Sequence, residues 1–208
     1  MSPLLWNIYF NEVLTLRFTS SISVQAFADD LVLLSSSLSP LRIEADINFS
    51  LTRIEKWCKK KHLHVNPLKT KACLITNRRV YTPPIFELNN INISLDPIIK
   101  ILGIVFDSKF NFKSHISYIS KRLKNILPNI ISLSNVRFGL SAHSLRLIYT
   151  SLFQPLFTYG CHVWFEKTAK SFLKTFKTIQ RMFALRIIRG FFSLSHTAAL
   201  AMANLIPI

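Results

Sequence analysis

Two acids stand side by side, Asp29 and Asp30, within the otherwise apolar stretch Ala26-Phe27-Ala28-Asp29-Asp30-Leu31-Val32-Leu33-Leu34. The chain has ten Asp and Glu against 26 Lys and Arg, so an adjacent carboxylate pair is a candidate metal site. Neighbouring carboxylates raise each other's proton affinity unless a cation neutralises them, and hard oxygen ligands suit Mg²⁺ or Mn²⁺. Asp-Asp is equally an ordinary turn dipeptide, so the pair alone does not decide. Cys58, His62 and His64 have the residue types of a zinc site, but no second cluster matches them. The intervening Lys59-Lys60-Lys61 reads as a solvated helix end whose charge suits the helix dipole.

The elements around the acids follow from periodicity. Ile22, Val24, Ala26 and Ala28 alternate with Ser23, Gln25 and Phe27, which predicts a half-buried strand. The run Leu31 to Leu34 predicts a second strand buried on both faces, so both acids fall at a tight hairpin turn. Ser2 to about Thr15 reads as helix, with Pro3 in its first turn and Leu5, Ile8, Tyr9, Glu12 and Val13 at helical spacing. Ser39 and Pro40 open another helix with Ile43, Ile47, Leu51, Ile54 and Cys58 on one face. Asn66-Pro67 marks a turn before the β-type stretch Ala72 to Ile75, and Asn89-Asn90 is a type I′ candidate between Ile85–Leu88 and Ile91–Leu95. Ile98 to Phe106 is expected as one strand, with Gly103 as a bulge or a close backbone approach.

Beyond Asp107 the pattern turns helical, which places a boundary near residues 107–113 between an α/β part and an α-helical part. Ile116, Ile119, Leu123, Ile126 and Ile130 form one stripe, interrupted or kinked at Pro128. Leu145, Ile148, Leu152 and Leu156 form another from Ser141 onward. From about Thr168 to Arg189, Lys170, Lys174, Lys177 and Arg181 line one side of a helix and Phe172, Phe176, Ile179, Phe183 and Ile187 the other, with Gly190 as its stop. A short helix is expected around Thr197 to Ala203.

Half of the 208 residues are apolar, enough for one sizeable core or two small ones, and the net charge of +16 calls for a polyanionic partner, nucleic acid or an anionic membrane. Cys58, Cys73 and Cys161, odd in number and widely spaced, read as thiols of a reducing intracellular compartment, nucleus or cytoplasm. No stretch of about 18 apolar residues is present, so no integral membrane segment is expected, and the N-terminus lacks signal-peptide features.

Five segments then occur in order: Ser2-Pro3-Leu4-Leu5-Trp6-Asn7-Ile8-Tyr9-Phe10-Asn11, Phe27-Ala28-Asp29-Asp30, Asn66-Pro67-Leu68-Lys69-Thr70-Lys71, Ile101-Leu102-Gly103-Ile104, and Ser151-Leu152-Phe153-Gln154-Pro155-Leu156-Phe157-Thr158-Tyr159-Gly160. In sequence and order they resemble the reverse transcriptases of non-LTR retrotransposons: a template-handling motif, the catalytic box, a lysine-bearing motif, the primer-grip strand and a thumb helix. The resemblance implies an α+β fold, a partial polymerase palm followed by an α-helical thumb. It divides the chain into palm with catalytic hairpin at 1–78, primer-grip strands at 79–108, thumb at 109–165, and a basic amphipathic helix with a truncated extension at 166–208.

What the resemblance implies chemically is RNA-directed DNA polymerisation with two Mg²⁺ (or Mn²⁺) ions, an RNA template, a DNA primer and deoxynucleoside triphosphates. Asp29 is then the shared metal ligand and Asp30 a secondary one. Lys69 lies near the leaving pyrophosphate, Phe27 flanks the primer end, and Leu102 and Gly103 belong to the strand that cradles it. Lys121, Arg122 and Lys124, with Lys170, Lys174, Lys177 and Arg181, hold the duplex backbone. The family's first catalytic aspartate, fingers and glycine-rich motif start are expected upstream of Met1. The apolar end at Leu205-Ile206-Pro207-Ile208 suggests truncation there too, ahead of a further domain such as ribonuclease H. The 208-residue chain is therefore expected not to polymerise by itself unless another carboxylate, such as Glu12 or Asp107, completes the site. The alternatives are a non-catalytic nucleic-acid-binding remnant, a basic amphipathic membrane- or partner-binding protein, and an aggregating product with exposed palm faces.

Overall fold

In the first turn of a helix a proline loses nothing by lacking an N–H, and α1 duly opens on Pro3 and runs Pro3–Leu14. The computed structural model describes residues 2–134, 139–168 and 173–207, and divides the chain into two units, Met1–Pro97 and Ile98–Ile208. Both combine helices with two-stranded sheets, as an α+β fold requires.

In the first unit, β1 (Ile22–Phe27) and β2 (Asp30–Ser35) pair antiparallel from Ile22↔Ser35 to Phe27↔Asp30. The alternation expected of β1 is present, with Ile22, Val24 and Ala26 turned partly inward. The expectation for β2 is not met. None of its residues is fully buried and Leu34 is 51% exposed, because the hairpin is a two-stranded sheet with no further strand paired to either edge among the described residues. The helix α2 spans Pro40–Lys60 and buries Leu51, Ile54, Trp57 and Cys58, while Ile43 and Ile47 pack at the edge. In α1 the inward face is Trp6, Phe10 and Val13. Leu5 and Ile8, expected on that face, are exposed.

Two small apolar clusters hold this unit. Val13, Ile54, Trp57 and Cys58 gather Phe10, Leu31, Leu33, Leu63 and Val65, and Leu51, Phe86, Leu88 and Ile93 gather Leu33, Ile47, Val65 and Leu95. Leu33 and Val65 belong to both. Short strands complete the unit: β3 (Lys71–Ala72) pairs parallel with β6 (Ser94–Leu95), and β4 (Glu87–Leu88) with β5 (Ile91–Asn92). Between β4 and β5, Asn89 and Asn90 both take positive φ, the type I′ turn that Asn favours.

The second unit begins with a hairpin. Ile98 to Phe106 is two strands, β7 (Ile98–Ile101) and β8 (Ile104–Asp107), with the turn Leu102-Gly103 at φ +47° and +86°. Ile104 and Phe106 pack against the helical core, so the hairpin groups with the helices and the division falls at Pro97, upstream of residues 107–113. The helix α3 (Lys113–Leu133) continues through Pro128 and buries Ile116, Ile119, Leu123 and Leu127.

A longer helical run follows: α4 (Ala142–Ile148), a π turn at Tyr149–Phe153, and α5 (Gln154–Thr158). Its buried face is Leu145, Tyr149, Phe153 and Phe157, whereas Leu152 is 39% exposed. The wider π turn, placed where Pro155 has no N–H to return to Ser151, keeps residues four apart on one face. After α6 (Cys161–Trp164), α7 (Lys174–Ile188) and α8 (His196–Ala203) close one continuous core around Phe153, Trp164, Phe176 and Phe183. Arg189, at φ +52°, ends α7 one residue before Gly190, whose N–H donates to the Leu185 carbonyl at 2.9 Å.

Candidate active site

The β1–β2 register leaves two residues for the turn, Ala28 and Asp29, with Phe27 opposite Asp30. Ala28 takes φ +53°, a conformation that an alanine adopts only when held there. What holds it is Trp6, whose indole Nε1–H donates to the Ala28 carbonyl at 2.9 Å. Trp6 stacks on Phe10 at 5.1 Å, and Phe10 meets the edge of Trp57 at 5.8 Å, so the turn is braced through α1 to the buried face of α2. Trp6 was not singled out by sequence reasoning. Its place at the head of the aromatic-rich run Trp6-Asn7-Ile8-Tyr9-Phe10 was the available signal.

Asp29 and Asp30 are both exposed at this tip, beside the Phe27 ring, which is 65% exposed. They offer hard oxygen donors to a divalent cation. Among the described residues no third His, Cys, Asp or Glu joins them in a metal-sized group, so they do not make up a two-ion site. Among the described residues Glu12, one candidate for a completing carboxylate, does not join them. Glu12 is paired with Lys61 at 2.5 Å, which holds its carboxyl below the usual range. Asp107 belongs to the second unit, where its Oδ1 accepts from the Lys109 and Asn111 N–H groups.

Lys69 lies exposed in a turn nucleated by Asn66, whose Oδ1 accepts from the Leu68 N–H at 2.9 Å and whose carbonyl accepts from Lys69 and Thr70. Leu63 and Val65, which lead into that turn, share a cluster with Leu31 and Leu33 of the hairpin. One core thus supports the acidic tip and the lysine turn. Of the zinc-type residues, Cys58 is buried, which pushes its thiol up, while His62 and His64 are exposed.

In the second unit the Leu102-Gly103 turn is met by Tyr159. The Tyr159 hydroxyl donates to the Leu102 carbonyl at 2.8 Å, and a Cβ on Gly103 would lie 3.2 Å from the ring. Gly160, at φ +59°, accommodates Ile104, whose Cδ1 would stand 2.6 Å from an added Cβ. Two segments singled out separately in the sequence are therefore packed together. Lys121, Arg122 and Lys124 are exposed on α3, and Lys174 and Lys177 on α7. Arg181 does not join that stripe. Its guanidinium turns onto the Phe192 and Leu194 carbonyls, an interaction with the chain beyond the helix that helical spacing cannot reveal. Lys170 lies outside the described residues.

The protein falls into the nucleic-acid polymerase class that this arrangement suggests: residues 1–106 match the profile of the family "Reverse transcriptase (RNA-dependent DNA polymerase)", and the chain belongs to that family. It is similar to the retrovirus-related Pol polyprotein of the type-1 retrotransposable element R1 of Bradysia coprophila, 26% identical over 79% of this chain and 16% of the relative. It is also similar to an R1 4 Pol polyprotein of Nasonia vitripennis, 24% identical over 88% of this chain and 50% of the relative. The RNA-directed DNA polymerase from the mobile element jockey of Drosophila melanogaster is 26% identical over 91% of this chain and 21% of its own length. The chain spans half or less of the length of each of these relatives. No solved structure matches it. Reverse transcriptases use divalent metal ions, a nucleic-acid template and nucleotide substrates. No described helix is long and apolar enough to cross a membrane.

Proposed function

We propose that this chain is the part of a non-LTR retrotransposon RNA-directed DNA polymerase that carries the catalytic hairpin, the primer grip and the thumb. The observation that carries the reading is the Asp29-Asp30 pair on a braced hairpin tip within the stretch that matches the family profile. In this reading residues 1–78 are palm, 79–108 primer-grip strands, 109–165 thumb, and 166–208 a basic amphipathic helix with an extension. Asp29 and Asp30 serve as ligands for divalent ions, Mg²⁺ or Mn²⁺, with two ions in the whole polymerase. The Phe27 ring flanks the primer end, and Lys69 stabilises the departing pyrophosphate. Leu102 and Gly103 support the primer strand, while Lys121, Arg122, Lys124, Lys174 and Lys177 meet backbone phosphates of an RNA–DNA hybrid. An intracellular location, nucleus or cytoplasm, belongs to the same proposal and is supported by three widely spaced cysteines.

Two carboxylates without a third are insufficient for two-ion nucleotidyl transfer, so the isolated chain is expected to bind hybrid without extending a primer. Primer extension on an RNA template with Mg²⁺ and Mn²⁺, run beside an Asp29→Asn/Asp30→Asn variant, tests both halves. Extension that disappears in the variant would refute the claim of incompleteness and support the site. Absence of salt-sensitive hybrid binding would refute the polymerase reading of this chain.

A further inference from the structure

The second unit carries 15 of the 26 Lys and Arg but only two of the ten acids, Asp107 and Glu166. Two of its described cations meet at one ring. Lys100, on the exposed side of β7, directs its Nζ to the Tyr118 hydroxyl at 3.0 Å and lies 4.9 Å from the centre of that ring. Arg122, one helical turn further along α3, approaches the same ring at 5.9 Å. Lys100 and, to a lesser extent, Arg122 hold the Tyr118 hydroxyl below its ordinary range.

This arrangement is set from within. Lys100 faces Val105 in the β7–β8 ladder, and the Val105 N–H donates to Nδ1 of His115 at 3.3 Å. His115 is 1% exposed and sits three residues before Tyr118 on α3, so the buried bond fixes which rung of the hairpin meets the Tyr118 ring. Two cations converging on one ring repel each other, and among the described residues no carboxylate forms an ion pair with either. The two exposed cations are thus left open to an anion from solution.

We infer that Lys100, Tyr118 and Arg122 form a clamp for a single backbone phosphate of a bound RNA–DNA hybrid. The inference rests on the polymerase reading and adds to it two residues, Lys100 and Tyr118, that no motif marks. Arginine supplies a planar fork for the phosphate oxygens, lysine a compact point charge, and the ring spaces the two.

The test is anisotropy of a labelled RNA–DNA hybrid titrated with the full chain across a range of KCl. Neutralising one phosphate contributes about 0.9 to the slope of log K against log salt. Lys100→Gln or Arg122→Gln alone leaves one cation on that phosphate and should weaken binding with little change of slope, whereas the double variant should lose most of that contribution, because both act on one anion. Tyr118→Phe, which keeps the ring, should weaken binding by about 2- to 10-fold at fixed salt with the slope unchanged. Lys59→Gln in the first unit, where Lys59 pairs with Glu55, should change neither. A wild-type slope retained by the double variant would overturn the clamp and leave the polymerase reading standing. Wild-type chain that ignores the hybrid would overturn both. Tighter binding to phosphatidylserine vesicles than to hybrid, lost in the double variant, would reassign the cluster to a membrane surface.

Discussion

In the first unit eight carboxylates stand against eleven Lys and Arg, and four ion pairs form: Arg42–Asp46, Lys59–Glu55, Lys61–Glu12 and Lys71–Asp96. In the second, two carboxylates stand against fifteen cations and no ion pair forms among the described residues. Packing differs in the opposite sense. The unit that holds most of the acids is held by two small clusters that share Leu33 and Val65, whereas the strongly cationic unit closes one continuous core. A unit that settles its charges internally can present one acidic tip and attract a cation to it. A unit with two carboxylates against fifteen cations repels itself, a strain that a deep core withstands and a polyanion would relieve.

The contrast can be broken most forcefully in the second core. Phe153 is fully buried beside Phe183, and Phe153→Ala should cost about 3–5 kcal/mol in urea unfolding. A loss below about 1 kcal/mol would mean that the core is not the continuous body described. Next is Gly160→Ala, where a left-handed φ and the nearby Ile104 should together cost about 1–2 kcal/mol. The same substitution at Gly190, which lacks a positive φ, should cost less. In the first unit Trp6→Phe keeps the stack on Phe10 but removes the bond to Ala28. About 1 kcal/mol is expected, together with faster amide exchange in the 28–30 turn. Unchanged exchange there would show that the hairpin holds itself.

Acid should separate the units with the smallest effect. Burial lowers the pKa of His115 from its ordinary 6.5, so the unfolded chain binds the proton more readily, and stability in the second unit falls as pH drops through about 6.5. In the first unit Lys61 lowers Glu12 from 4.5 and Lys71 lowers Asp96 from 3.8. Stability from those pairs persists until pH falls below about 4.5. Residue-resolved hydrogen exchange at pH 5.5 should therefore show loosening around Val105 and His115 and none around Glu12. The reverse order would refute the assignment.

Much of the candidate site was legible because its signals are local. Alternation in β1 and the dipeptide Asp29-Asp30 specify a hairpin tip, and elsewhere in the unit Asn89-Asn90 specifies the β4–β5 turn through the tolerance of Asn for positive φ. The missed features are long-range. Leu102 is no ordinary choice for a left-handed turn position, so Ile98 to Phe106 read as one strand, and only the Tyr159 contact makes the turn intelligible. The buried face after Leu145 shifts by one residue because the π turn departs from the 3.6-residue period on which the stripe was drawn. Arg181 was placed on a solvent stripe by its own helix and removed from it by carbonyls eleven and thirteen residues later.

The contact between Tyr159 and Leu102-Gly103 joins positions 57 apart in the chain. As copies of such an element accumulate mutations, Gly103, Tyr159, Gly160 and Ile104 should not drift independently. At 103 and 160 the positive φ strains any side chain whatever the space, so both positions should stay glycine while 159 and 104 vary only within the room the two glycines leave. Among diverged copies, loss of either glycine should accompany loss of the contact it permits.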